Sequence, residues 1–272
     1  MNMKKMALAA MAVLCCTAVL LTGCGSQKQQ AAGDASSSSG GKKIVVGLDD
    51  NFPPMGFKDE NNEITGFDID LAKEASKRLG REVEFKAIDW SSKEAELKSG
   101  RVDVLWNGLD ITEDRKKNML FSDPYMENRQ IVFVKKGTTG ITDEQSLAGK
   151  KIGTQSASTA EDYMDKTDFY KSKVAEVKKY SDFVAAFMDL ENGRIDAVVG
   201  DEIVGRYYMS KHPDTIEALD IVIGPVSSFG IAFAKDNQQL RDDVQKVLND
   251  MKADGTVAKI SEKWFGKDIT IK

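Results

Sequence analysis

The stretch Gly100 to Arg115, GRVDVLWNGLDITEDR, is half repeated later in the chain as Gly193 to Asp201, GRIDAVVGD. Each copy opens on a glycine suited to ending a helix and passes through Arg into a short β-branched strand, Val102–Leu105 in one and Ile195–Val199 in the other. Each then delivers a Gly and an Asp at the strand's carboxyl end. In open α/β sheets, ligands settle beyond the carboxyl ends of the strands, so two such units facing each other build a cleft with polar groups on both walls. A Gly-Arg-apolar-Asp junction also arises by chance. The repeat carries weight only if the rest of the chain alternates in the same way.

The rest does alternate. Lys43–Leu48 (KIVVGL) reads as a buried strand whose exit loop carries Asp49, Asp50, Asn51 and Phe52. The spacing of Ile69, Leu71, Ala72, Ala75 and Leu79 predicts a helix over Phe67–Leu79, ended by Gly80, with Asp68 and Asp70 as first-turn acids that complement the helix dipole. Glu82–Ala87 alternates as a strand, and Ser91 to Glu94 reads as a capping box before a helix ending at Lys98. Thr112–Lys117 predicts a short helix and Gln130–Val134 a strand.

The second half repeats the plan. Strand Lys151–Thr154 leads into a loop, Gln155–Thr159, in which Ser158 or Thr159 caps a helix running to Met164. Such a helix start offers free N–H groups and a positive dipole end to a carboxylate. Helix Ser181–Glu191, strand Ile195–Val199 and helix Glu202–Ser210 follow. Strands are predicted at Ile221–Val226 and Gly230–Ala234, and helices at Asn237–Asp254 and Thr256–Trp264. The βαβ alternation implies mainly parallel sheets.

The amino-terminal residues read as an address. Lys4 and Lys5 precede an apolar run, Met6–Leu21, too short to span a bilayer with margin, which closes on Leu21-Thr22-Gly23-Cys24. That ending resembles a bacterial lipobox, which implies cleavage before Cys24 and lipid chains holding Cys24 to the membrane's outer face. Residues 1–23 are thus expected as a lipoprotein signal peptide and the Gln-, Ala- and Ser-rich residues 24–41 as a flexible tether. An ordinary signal peptide or an uncleaved helix fits the same run, but a Cys directly after Gly23 favours lipidation. Cys15 and Cys16 lie in the segment to be removed, so no internal disulfide is expected.

The net charge of -5, spread over mixed acidic and basic residues, argues against a nucleic-acid partner. A single His, His212, and the lack of Cys pairs leave little for a transition metal, and no EF-hand spacing occurs. Neither a metal nor a cofactor is expected.

Five motifs run in order along the chain: GFDIDLAKEASKRLG (66–80), ITEDRKK (111–117) followed by FSDPY (121–125), GRIDAVVGDE (193–202), FGIAF (229–233) and ADGTVAKISEKWFG (253–266). By them the chain from about residue 42 onward resembles the amino-acid-binding branch of the bacterial extracellular solute-binding proteins, family 3, the receptors of ABC importers. It implies a two-lobed, periplasmic-binding-protein-like α/β fold, two α/β domains joined by two crossover strands. Lobe one would be residues 42–125 and 229–272, lobe two residues 130–224, and the hinge crossings 125–129 and 225–228.

The resemblance also implies roles. Arg115, with Thr159 at a helix start, would hold an α-carboxylate, and Asp201 an α-ammonium. Gly108 would contribute backbone, Phe52 and Trp90 would sandwich the ligand side chain, Asp49 would reach it, and Gln155 and Ser158 would complete the second wall. Each has an ordinary competitor: Arg115 as a surface residue, Asp201 as the N-cap of the helix beginning at Glu202, Trp90 as core. Two positions depart from the family pattern. Asp110 stands where relatives carry Ser or Thr, and Asn107 where they carry a small residue.

An ionised carboxylate cannot donate to a ligand carboxylate, so Asp110 would instead share the ammonium or meet a second cation. With Asp49, Asp50 and Asp110 making the pocket negative, the expected ligand is a polar or cationic L-amino acid, or a cystine-like one. The expected action is capture by lobe closure and delivery to ABC permease subunits, by a monomer, without chemistry. A dehydratase on the same fold would need a positioned acid or base, and His212 precedes Pro213 in a turn away from the cleft. A sensory module is the third class, disfavoured because no membrane-spanning stretch follows Lys272.

Overall fold

A computed structural model describes residues 41–272. The expectations for residues 1–23, for Cys24 and for the tether up to residue 40 lie outside them.

The two copies of the repeated unit occupy equivalent places in two five-stranded sheets. In the first sheet the order is Arg81–Ala87, Gly41–Leu48, Val104–Leu105, Ala232–Ala234, Met119–Phe121. In the second it is Glu176–Tyr180, Lys151–Gln155, Ala197–Asp201, Gln130–Lys135, Ile216–Val222. The repeat's strand is central each time, parallel to its neighbour on one side and antiparallel on the other. The sheets are therefore mixed rather than mainly parallel. The strands that run against the repeat, Gln130–Lys135 and Ala232–Ala234, are those arriving from the other sheet. Their direction is set by the crossings, Met126–Asn128 and Ser227–Phe229, which themselves pair antiparallel as a two-stranded ribbon. The result is a two-lobed α/β fold joined by two crossover strands.

Local sequence explains most helix boundaries. Phe67–Arg78 buries Phe67, Ile69, Leu71, Ala72 and Ala75. Burying side chains of this size contributes roughly 1.5–3 kcal/mol apiece for the larger ones. Thr112 caps the Glu113–Asn118 helix by accepting from the Arg115 N–H, and Asp182 caps Phe183–Glu191 through Ala185. Of the two candidates at the Thr159–Lys166 helix, Ser158 is the cap, accepting from the Glu161 N–H. That leaves the Thr159 hydroxyl for other partners.

Two local expectations are corrected. No capping box forms from Ser91 to Glu94; Asp89 accepts from the Ser91 N–H and caps a 3-10 turn, Trp90–Ser92, and the Lys93–Lys98 helix starts without a side-chain cap. The extended backbone of Asp89 swings its carboxylate over the turn first. The last strand of the second sheet is Ile216–Val222, not Ile221–Val226, because pairing with Gln130–Lys135 fixes its register and Gly224, at φ +74, ends it.

Packing fixes where Asp201 stands. A Cβ at Gly205, on the helix Glu202–Lys211, would lie 2.0 Å from Cζ of Phe133, and one at Gly200, on the strand Ala197–Asp201, would lie 2.3 Å from Cε1 of Phe183. Only glycine lets this strand and helix press so closely onto the buried Phe133, Phe183 and Phe187. Asp201, at the junction, is held at one depth in the sheet.

Candidate ligand-binding site

The carboxyl ends of both central strands open on one cavity. Its lobe-one wall carries Phe52, Trp90, Gly108, Asp110 and Arg115; its lobe-two wall carries Gln155, Ser158, Thr159 and Asp201. The cavity left between the walls is about 10 Å³, room for about one water.

Arg115 follows the Thr112 cap by three residues, and the cap's turn directs its side chain inward, where it is 5% exposed. Its Nη1 donates to the Asp110 carbonyl at 3.0 Å and to Thr159 Oγ1 at 3.3 Å, and its Nη2 to the Ala157 carbonyl at 3.1 Å. Three of its five N–H groups are thus engaged, two of them across the cleft. Ala157 adopts a left-handed turn, φ 57, and its carbonyl also accepts from Lys93 Nζ at 2.8 Å. Burial, and then the neighbouring Arg115 charge, lower the Lys93 pKa to about 7. The surface-residue reading of Arg115 is set aside.

Asp201 makes no capping hydrogen bond. Its carboxylate faces that of Asp110, and the two share donors from the crossing region. Asn128 Nδ2 donates to Asp110 Oδ1 at 3.0 Å and also to Asp201 Oδ1, while Gln130 Nε2 lies 2.8 Å from Asp201 Oδ1 and 3.4 Å from Asp110 Oδ2. Ser227 Oγ adds a bond of 2.6 Å to Asp110 Oδ1. Burial, followed by the charge of Asp110, pushes the Asp201 carboxyl up to about 7.

Phe52 packs 6.1 Å, centroid to centroid, from Phe183 of the other lobe, and Trp90 is buried beneath Lys93. Gly108 has φ +58, and a Cβ there would lie 2.6 Å from Phe52 Cε1. Its N–H points away from the cavity, to Asp68 Oδ2 at 2.7 Å, so only its carbonyl remains to face a ligand. Asp68 also accepts from the Tyr125 hydroxyl at 2.9 Å. Burial pushes Asp68 up to about 7. An acid expected only to complement a helix dipole therefore fastens the cavity floor to the start of a crossing.

Asp49 is 6% exposed and meets Gln155 Nε2 at 2.6 Å across the cleft. Burial raises its pKa to about 6 against the opposing hydrogen bonds of Asn51 and Gln155. Asn107 sits one layer behind the wall, its Oδ1 accepting from the Asp49 N–H at 2.9 Å and its Nδ2 reaching the Gly56 carbonyl at 3.5 Å. Asp50, expected to make the pocket negative, instead pairs with Lys58. His212 stacks on Tyr208 with its ring half exposed, near Glu191 and apart from the cavity.

Sequence reasoning did not single out Lys93, Asn128, Gln130 or Ser227. A buried Gln at the start of an otherwise apolar strand, QIVFV, was the one available signal. Among the described residues no cluster of His, Cys, Asp and Glu could hold a metal ion, and no helix is long and apolar enough to cross a membrane.

Residues 44–267 match the family model of the bacterial extracellular solute-binding proteins, family 3. The chain is 33% identical over 228 residues to the L-cystine-binding protein TcyJ of Escherichia coli strain K12, covering 84% of each chain. It is 37% identical over 224 residues to the ABC transporter arginine-binding protein 1 of the same strain, covering 80% of this chain and 89% of that one. A solved structure of an ancestral arginine-binding protein bound to arginine superposes with a TM-score of 0.78 at 44% identity, over 82% of this chain and 98% of that one. The matched span takes in both lobes, both crossings and every wall of the cavity, and the chain belongs to the bacterial extracellular solute-binding proteins, family 3.

Proposed function

We propose that this protein is a lipid-anchored receptor that captures a polar or cationic L-amino acid, or a cystine-like one, between its lobes and delivers it to an ABC permease. The observation that carries the reading is the opposition, in one cavity, of the Arg115 guanidinium and the Asp110–Asp201 carboxylates. An α-amino acid has one charge for each. Arg115, with Thr159 Oγ1 and the start of the Thr159–Lys166 helix, suits the α-carboxylate; Asp201, with Asp110 and the Gly108 carbonyl, suits the α-ammonium. The side chain then runs between Phe52 and Trp90 toward Asp49 and Gln155. Of the ligands named for the relatives, arginine ends in a cation and cystine in an ammonium beside a second carboxylate, and either cation suits Asp49.

Closure follows from differential contact. Groups of both lobes bind one molecule, which stabilises the closed state over the open one. The family's extracytoplasmic setting and the Leu21-Thr22-Gly23-Cys24 sequence support anchoring through Cys24. Mass spectrometry of the ligand carried through purification, followed by calorimetry with an amino-acid panel, tests the reading. A clear preference for Glu or Asp would rule it out. Unchanged membrane partition of a Cys24→Ser variant in cells would remove the anchor.

A further inference from the structure

We propose that Asp110 and Asp201 work as a proton-sharing pair and that the ligand's ammonium enters by displacing the shared proton to solvent. The proposal rests on the reading of this cavity as an amino-acid site and adds a specificity role for Asp110.

The geometry carries it. Both carboxylates are nearly fully buried, and the Asn128 and Gln130 side-chain amides each contact both. Two carboxylates held on common donors repel each other when both are ionised, and removal from water raises the cost. The groups packed around them do not supply a neutralising cation. From the helix Glu113–Asn118, Arg115 directs Nη1 to the Asp110 backbone carbonyl rather than to the acid. From the crossings come only neutral donors, Asn128 and Ser227, and Gln130 from the strand that follows. Arg129 turns outward to Glu202 and Asp220, and Glu202 is further occupied by Arg206. Lys93 is committed to the Ala157 carbonyl.

One charge short, the pair holds a proton, in line with the raised pKa of Asp201. An ammonium carries the same charge and can donate to both acids at once. Its arrival therefore sends one proton to the buffer, and a ligand without a cation at that point gains nothing from the exchange. A Ser or Thr at position 110 would leave a single acid and a much weaker hold on the proton.

Calorimetry with L-arginine, L-histidine and L-cystine as probes, in buffers of different ionisation enthalpy from pH 5.5 to 9, reads the exchange directly. The expected result is release of close to one proton at the acid end, falling to none at the alkaline end, with affinity weakening by roughly tenfold per pH unit at the acid end. Asp110→Asn, with Asp110→Ser as a second variant, moves the release to lower pH by about one unit or more. Binding with equal heats in all buffers would overturn the exchange while leaving the site reading intact. Release unchanged in both variants would assign the proton to Asp49 or Asp68 and also overturn it. No binding of any probe at any pH would sink the site reading and the exchange with it.

Discussion

Gln155 Nε2 lies 2.6 Å from Asp49 Oδ2, joining an amide of one lobe to a carboxylate of the other. The same Gln155 Nε2 also donates to the Ser181 carbonyl at 3.1 Å, so the amide is fixed by two acceptors. Asp49 itself stands just behind the cavity lining, reached through Gln155, which does line it.

Asp49→Asn is expected to weaken L-arginine much more than L-glutamine, since it removes a charged acceptor and keeps the shape. The difference should be about 1.5–3 kcal/mol, the range for hydrogen bonds to charged groups. Calorimetry on both amino acids measures it, and equal losses for the two would place the ligand's side chain elsewhere.

Arg115→Ala removes a buried guanidinium that spans the cleft and should cost about 3–5 kcal/mol of binding. Arg115→Lys restores charge but not the planar fork, so it should recover only part of that loss. Affinities within a few tenths of a kcal/mol of the native value in Arg115→Ala would mean the α-carboxylate is not held there.

Gly108→Ala forces a side chain into a left-handed turn and onto the Phe52 ring, 2.6 Å away. The backbone alone costs about 1–2 kcal/mol. A lower melting temperature together with weaker binding is expected, because the displaced ring is itself a wall of the cavity. Loss of stability with full affinity would show that Phe52 does not touch the ligand.

Stability in amino-acid-free buffer should fall as pH rises from about 4 to about 7. Burial raises the folded-state pKa of Asp68 from its ordinary 3.8 to about 7, so the folded chain holds this proton more tightly than the unfolded one. That advantage is complete below the ordinary value and is lost as pH climbs through about 7; for one such acid it amounts to something on the order of 4 kcal/mol. Asp201, also near 7, and Asp49, near 6, act in the same direction. Asp68→Asn, whose amide oxygen can still accept from Gly108 and Tyr125, should flatten the profile and raise the melting temperature at pH 8. Thermal unfolding across pH reads both.

The sequence made the backbone plan and the charged ends of the cavity legible, because both rest on short-range patterns. A strand followed by Gly and Asp is a local signal, and so is an Arg three residues past a capping Thr. The polar groups that unite the acids are not local. Asn128 and Ser227 sit on different crossings, and Asp49 meets Gln155 from another lobe, so no window of sequence contains either relationship. Asp68 and Asp70 look alike in sequence, yet the first is buried under Gly108 while the second accepts from Lys263 and Trp264 on the closing helix. Asn107 and Asp50 were legible as polar but not as facing away, since orientation within an irregular loop has no period to read. Ile221–Val226 is the apolar run, yet pairing with Gln130–Lys135 rather than hydrophobicity sets the strand at Ile216–Val222.

The paired crossings have a mechanical consequence. Asn128 and Ser227, which face each other in that ribbon, both grip Asp110. Asp110 therefore sits beside the ribbon that joins the two lobes. Rotation about the ribbon displaces points near its axis least. If the lobes turn about the ribbon in the proposed capture, the ammonium subsite is the part of the cavity that moves least.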